Sequence, residues 1–369
     1  MENQTMKIAI TKIGANITFS PNNGSAANAD ILYALRTMKG HRHEFTVCTK
    51  KTSNTVLPKS IGLSDIRNCK SFNDFDLVLV FNGSINFFGG VCDNSLLALY
   101  RALHNTKVPI VFVQTDGALY LQELWPLIQK REWAKGLSAS EFSIDSKNVY
   151  YLTQGRDYSK TDEFLKSAKN AIIPTSIYHF PWEQTILSGV DTKKLGLIKP
   201  SERIFDLGFG GYIRNSHKQR RIERYYDEVD LKTLLFGNLR GIKLQHTKVL
   251  PKVSFQSMVG YMSDCKASVI VGDYYYNDHF HTLRMYENLL AGCAVLIDRQ
   301  LDSRNDFYHG IPHGEMFYVD KPNDVKNFLH NDNLDELVID TRHYLLENRD
   351  VEKLNCRLKT ILEDICDLH

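Results

Sequence analysis

Three stretches of the 369-residue chain combine residue types suited to a charged, hydroxyl-rich ligand. In "GFGGYIRNSHKQRRIERYY", Gly208, Gly210 and Gly211 allow a tight turn after a strand, and Arg214, Lys218, Arg220 and Arg221 supply cations near a helix start. A diphosphate there would gain backbone donors, favourable helix polarity and charged hydrogen bonds. The glycine spacing matches neither a Walker motif nor a dinucleotide fingerprint, and the run reads equally as a solvated basic helix behind a structural turn. In "GDYYYNDHFHTLRMYENLLAGCAVLID", Thr282 opens a helix whose first turns hold Arg284 and Glu287, neighbours on its surface. An arginine meets a phosphate oxygen and a carboxylate accepts from ribose hydroxyls, which are the two polar ends of a nucleoside diphosphate. An isolated pair of this kind is ordinarily a salt bridge on a wet face. Asp273 and Tyr276 sit at a strand end where sugar hydroxyls can be read, and Asp278 either serves the same site or caps its turn. The third stretch, "LVLVFNGSINFFGG", is a strand that opens into a loop carrying Phe87 and Phe88, where a turn is ordinarily polar.

Two runs of alternating strands and helices must position these residues. "KIAITKI", "HEFTVCT", "DLVLVFN" and "VPIVFVQT" read as strands, followed by "VYYLTQG" and "AIIPTSIYHF"; residues 28–38 and 95–103 carry helical spacing. The near-continuous Val, Ile and Leu of the middle runs suits parallel strands covered on both faces. After the polar "SGVDTKKLGLIKPSE" segment the pattern restarts with "RIFDLGFGG", "LKTLLFGN", "ASVIVGD", "CAVLID" and "EMFYVD". Helices are expected over 219–226 and 282–290, and residues 334–369 read as mostly helical. The expected fold class is α/β, with two doubly wound sheets meeting across a cleft and ligands beyond the carboxyl ends of the strands.

The length suggests two domains, each able to bury its own core. A formal charge of +2, with 13 histidines left neutral, excludes a polybasic coat but leaves a local nucleic-acid groove open. The seven cysteines form no CxxC pair and no zinc-ligand spacing, which points to a reducing compartment. The amino terminus lacks the basic start and long apolar core of a signal peptide, and no stretch is long enough to span a bilayer. A soluble, intracellular chain is expected.

With those motifs in one order along most of its length, the chain closely resembles the bacteriophage DNA beta-glucosyltransferase family. The resemblance rests on "SINFFGG" at 84–90, "TD" at Thr115 and Asp116, "FGN" at 236–238, "YYND" at 275–278 followed by "F", "TLR" and "E" through Glu287, and "AVLID" at 294–298. It implies two Rossmann-like domains facing a cleft, a GT-B type glycosyltransferase. The acceptor domain would span 1–185, joined by a C-terminal helix over 353–369, with the donor domain over 186–352. It implies transfer of a sugar, by default glucose, from a UDP-sugar to 5-hydroxymethylcytosine in double-stranded DNA, with inversion. The expected setting is the host cell cytoplasm, and the expected state a monomer with no membrane partner.

By the same resemblance Arg214 and Arg220 hold the diphosphate, Arg284 joins them and Glu287 binds the ribose. "RNSHKQR" contains extra residues relative to the family's arginine spacing, so Lys218 competes with Arg220. Asp273 and Tyr276 are donor-site companions, and backbone groups near Val253 meet uracil. Asp116 is the expected base, taking the proton of the hydroxymethyl oxygen as it attacks the anomeric carbon. Read without the resemblance, Asp116 caps the "TDG" turn. The resemblance also leaves room for a divalent ion, Mg2+ or Mn2+, beside the departing diphosphate.

One departure bears on the donor. Where the family has an acidic residue near the first strand-to-helix junction, this chain reads "NNGSAANADILYAL", placing Asn28 or Ala27 there and Asp30 nearby. Either the site rearranges locally and keeps glucose, or the donor is altered, for example to UDP-arabinose, because losing a carboxylate changes which sugar hydroxyls are satisfied. On the acceptor side, a cytosine inside a duplex must be extruded to reach a deep site. Ser84, Asn86, Phe87 and Phe88 of the "SINFFGG" loop would accommodate it, and Lys130 and Arg131, with Lys135, would meet phosphates. Trp125 and Trp133 of the same segment serve equally as core anchors. A non-catalytic DNA-binding protein on this scaffold, and transfer to a small-molecule or protein hydroxyl, are the competing readings.

Overall fold

The strand Leu77–Phe81 (β6) is buried at all five positions, as an all-apolar run is when helices or loops cover both faces of a parallel sheet. It belongs to a computed structural model that describes residues 5–12, 16–19, 43–49, 51–54, 61–81, 94–114, 148–153, 171–172, 192–213, 216–228, 230–239, 241–242, 244–253, 255–272, 282–348, 360 and 362–367. The chain divides into two compact units, one of Met1–Tyr178 with Glu352–His369, the other of His179–Val351.

In the first unit, β1 (Lys7–Lys12), β3 (Glu44–Thr49), β5 (Gly62–Asp65), β6, β7 (Ile110–Gln114), β8 (Val149–Thr153) and β9 (Ala171–Ile172) form one sheet in the order β5-β3-β1-β6-β7-β8-β9. Every described pairing is parallel; β1 takes β3 on one side (Ile8 opposite Phe45) and β6 on the other (Ile8 opposite Leu77). The order therefore reverses at β1, the doubly wound arrangement. A separate parallel pair joins β2 (Asn16–Phe19) to β4 (Lys51–Asn54). Helix α1 (Asn94–His104) buries Leu99, Ala102 and Leu103. Past its end, the Thr106 hydroxyl donates to the Ala102 carbonyl at 2.6 Å and accepts from the Phe72 amide at 3.0 Å. Near the C-terminus, Leu362 and Ile365 are fully buried within this unit.

The second unit repeats the plan. Strands β10 (Phe205–Tyr212), β11 (Thr233–Asn238), β12 (Lys248–Leu250), β13 (Cys265–Ile270), β14 (Ala294–Asp298) and β15 (Tyr318–Val319) form a parallel sheet ordered β12-β11-β10-β13-β14-β15. Its helices are α2 (Thr192–Leu197), α3 (Ser216–Tyr226), α4 (Phe255–Ser263), α5 (Leu283–Leu290), α6 (Pro322–Leu329) and α7 (Leu334–Asn348). Both units are thus Rossmann-like α/β layers, the fold class expected from the alternating pattern.

At the reversal point β10 and β13 pair at Phe205–Cys265 and Leu207–Ala267. Tyr226, completely buried on α3, closes the gap beyond: its hydroxyl accepts from the Val269 amide at 2.8 Å and lies 3.0 Å from the Val269 carbonyl and 3.1 Å from that of Gly208. A second buried tie, Arg221 to Asp298 (Nε to Oδ2, 2.9 Å), fixes α3 to the carboxyl end of β14. Gly237 is at φ +124°, and a Cβ there would overlap the Gly211 carbonyl. The "FGN" end of β11 therefore needs glycine to lie against β10.

Some elements depart from the sequence expectation. The "SGVDTKKLGLIKPSE" connector contains α2 and a 3-10 turn, Pro200–Glu202. "EMFYVD" is a 3-10 turn over Gly314–Phe317 followed by the two-residue β15. Strands β2, β4, β5 and β12 and helices α4 and α6 were not anticipated. The helix expected over 28–38 lies outside the described residues. Among the described residues no helix is long and apolar enough to cross a membrane.

Candidate active site

Of the described candidates, Lys218 and Arg220 lie on α3, which follows β10, and Arg284 and Glu287 on α5, which follows β13; these strands flank the reversal point of the second unit, where open α/β sheets take their ligands. Helix α3 follows β10 and begins at Ser216, earlier than expected, so Lys218 falls in its first turn. Lys218 is half-buried and Arg220 exposed, which separates the two competing cations by position on the helix. Between the glycine-bearing strand end and Lys218 lies His217, whose Nε2 is buried with no hydrogen-bond partner. The sequence reading passed over His217 because the surrounding cations dominated the run; its place in the first turn of a helix after a glycine turn was the available signal.

Helix α5 carries the second pair. Arg284 Nη1 lies 2.7 Å from Glu287 Oε2. The expected alternative, a salt bridge on a wet face, is overturned for Glu287, which is only 6 % exposed. Helix α4 packs against the arginine of the pair, with Met258 Sδ against the Arg284 guanidinium. Desolvation raises the Glu287 pKa, and the Arg284 charge opposes that rise without cancelling it. Although close to Arg284, Glu287 Oε2 has no aligned hydrogen-bond donor, and the hydroxyl of the N-cap residue Thr282 is likewise buried and unpartnered. A buried carboxylate oxygen held only by its ion pair and a buried hydroxyl with no hydrogen-bond partner, one on α5 and one at its N-cap, form an unfinished polar lining, because such groups are nearly always hydrogen-bonded. Hydroxyl donors from a ligand would complete it, and the amino end of α5 favours a neighbouring anion. Asn288, completely buried, donates to Ser268 Oγ at 2.9 Å and ties α5 to β13. Val253, half-buried just before α4, packs on a small core of Leu234, Phe236, Met258 and Val259.

Asp116, Asn28, Arg214, Asp273, Tyr276, Ser84, Asn86, Phe87, Phe88, Lys130 and Arg131 lie outside the described residues.

A family model for bacteriophage T4 beta-glucosyltransferase matches residues 6–185. The chain is also 26% identical over 363 residues to the DNA beta-glucosyltransferase of Enterobacteria phage T4, covering 94% of this chain and 96% of that protein. The likeness to the T4-type DNA beta-glucosyltransferases thus runs along nearly the whole chain, with the family model matching its first half. Solved structures extend the family's likeness to the whole fold. T4 phage BGT in complex with UDP and Mn2+ superposes with a TM-score of 0.69 at 21% identity, covering 98% of this chain and all of that one. T4 phage BGT with its UDP-glucose substrate gives 0.69 at 20%, with the same coverage. An alpha-glucosyltransferase with UDP and a 13-mer DNA containing a HMU base gives 0.60 at 12%, covering 99% of this chain and 100% of that one. Two parallel sheets flanked by helices in a GT-B-like fold are therefore common to all three.

Proposed function

We propose that this protein is a UDP-glucose-dependent DNA glucosyltransferase that transfers glucose to the hydroxyl of 5-hydroxymethylcytosine in double-stranded DNA, with inversion. The observation that carries the reading is the ion pair on α5 between half-buried Arg284 and buried Glu287, whose Oε2 has no aligned hydrogen-bond donor, in a chain aligned over 94% of its length with a DNA beta-glucosyltransferase. In this reading residues 186–352 form the donor domain, and residues 1–185 with 353–369 the acceptor domain.

Glu287 accepts hydrogen bonds from the ribose hydroxyls. Arg284 meets the diphosphate, together with Arg214 and Lys218 near the start of α3; Lys218 takes precedence over Arg220 because it stands in the first turn and is half-buried. Backbone groups near Val253 meet the uracil, and Asp273, Tyr276 and Asn28 complete the sugar subsite. The acceptor base is extruded from the duplex, with Ser84, Asn86, Phe87 and Phe88 flanking it and Lys130 and Arg131 on the phosphates.

Asp116 removes the proton of the hydroxymethyl group as its oxygen forms a bond to the anomeric carbon. On the opposite face of the sugar the bond to UDP breaks, and UDP leaves with the electron pair, stabilised by the cations of α3 and α5. A divalent ion, where used, adds Lewis-acid stabilisation of the diphosphate. Among the described residues no three metal-ligating side chains converge, so they do not form a resident metal site. The charge of the leaving group falls to this chain's own Arg214, Arg284 and Lys218.

The test is mass analysis of nucleosides after incubating purified protein with hydroxymethylated duplex DNA and UDP-glucose, UDP-arabinose or no donor. Glucosylated hydroxymethylcytosine is the expected product, and Asp116→Asn should bind UDP-glucose normally while losing at least about 100-fold in turnover, the usual worth of a positioned base. No product from any donor would sink the enzymatic reading, and an arabinosylated product alone would reassign the donor.

A further inference from the structure

The amino-terminal half of α5 carries the proposed donor-binding pair, while its carboxyl end is held by the buried guanidinium of Arg203 and the half-buried one of Arg342. Arg203, 6 % exposed, donates from Nη1 to the carbonyls of Ala291 and Cys265, both at 3.2 Å, and from Nη2 to the Ile198 carbonyl at 3.1 Å. Arg342, on α7, donates from Nε to the Leu289 carbonyl at 3.0 Å. Leu289 is the penultimate residue of α5 and Ala291 its C-cap, at the end where the helix dipole is negative; the Leu289 carbonyl also accepts from the Gly292 amide at 3.0 Å. Burial holds both arginines below their ordinary pKa range, yet they are retained.

These braces come from both ends of the unit's described chain. Gly196 of α2, the first described helix of the unit, packs so closely on Arg342 that a Cβ there would overlap the guanidinium. Ser201, in the 3-10 turn that follows, donates to the Asp335 carboxylate at 2.8 Å from its amide and 2.6 Å from its hydroxyl, tying that turn to α7. Residue types alone do not require this: a neutral side chain would avoid placing two like charges near each other.

We infer that Arg342 and Arg203 are positioning residues for nucleoside diphosphate binding, fixing the tilt and depth of α5 so that Arg284 and Glu287 present their charged groups to the phosphate and ribose. The inference rests on the donor reading of α5. Neither arginine touches the ligand; they act through the helix end.

Gly196→Ala isolates this role, because alanine favours helix in α2 and displaces Arg342 without altering α5 or the charge. UDP binding by titration calorimetry, thermal melts and amide hydrogen exchange over 283–290 are measured on the full chain for wild type, Arg342→Gln and Gly196→Ala. The expected result is a rise of about threefold to tenfold in the UDP Kd for both variants, the scale of a charge at a helix end. Exchange in α5 is faster than wild type, and Gly196→Ala keeps a wild-type Tm, which a merely structural role for Arg342 would not pair with weaker binding. Wild-type UDP affinity in Gly196→Ala, with unchanged exchange in α5, overturns the inference alone. A wild-type protein that binds no UDP overturns the donor reading and the inference with it.

Discussion

Glu287, the proposed partner of the ribose hydroxyls, is held at a cost to stability. Its folded pKa is raised chiefly by desolvation, so the native state holds the proton more tightly than the unfolded chain. Stability contributed by the protonated form is lost as pH rises through the window above the ordinary carboxylate range, and at neutral pH the buried charge is a net burden despite Arg284. Glu287→Gln should therefore melt at or above the wild-type temperature at pH 7, with its advantage growing as pH rises above the ordinary carboxylate range. Its UDP Kd should rise about tenfold, roughly 1.4 kcal/mol. A calorimetric melt and a titration read both, and a lower Tm with unchanged affinity would reverse the assignment. Lys12 presents the opposite charge. At the carboxyl end of β1 it is 4 % exposed, and desolvation lowers its pKa from 10.5 to about 8. Because the folded value lies below the unfolded one, the stability deficit is full below pH 8 and disappears as pH approaches 10.5. Lys12→Met should remove that pH dependence, so that denaturant titration finds stability no longer rising between pH 8 and 10.5.

At the scale of elements, the reversal between β10 and β13 depends on α3. Where the two strands cease to pair, the Val269 amide has the Tyr226 hydroxyl as its acceptor, and the same helix presents Lys218 at its other end. Tyr226→Phe leaves that buried amide without the acceptor and should cost about 1–3 kcal/mol in urea titrations, with the parallel sheet retained by circular dichroism. Losses below about 0.5 kcal/mol would show that another group replaces the hydroxyl. The strands of this region were legible in the sequence because apolar runs such as "AVLID" and "TLLF" end at glycine or polar signals. The spacing of Arg284 and Glu287 was legible too, but their burial was not: Met258 comes from α4, and only the fold brings that helix against Arg284. Helix α2 escaped notice for a similar reason. Its short polar sequence has little helical periodicity, and its place is set by Gly196 packing on Arg342, more than 140 residues away.

For the whole molecule, a net charge of +2 supplies almost no long-range attraction for a polyanion. Affinity for DNA must then come from cations concentrated on one face, and its salt dependence counts how many of them meet phosphates. Each phosphate contact steepens the slope of log K against log salt by about 0.9, through counterion release. If Lys130 and Arg131 each meet a phosphate, their joint replacement by alanine should flatten the slope for hydroxymethylated duplex by about 1.8, and weaken binding most at low salt. UDP affinity should be unchanged if, as proposed, these cations serve the acceptor and the diphosphate is held by α3 and α5. Fluorescence anisotropy at several salt concentrations, paired with UDP titration, separates the outcomes. An unchanged slope would remove Lys130 and Arg131 from the phosphate contacts. A parallel loss of UDP affinity would instead mean that the two substitutions disturb the donor site, and the division of labour between the two sheets would have to be redrawn.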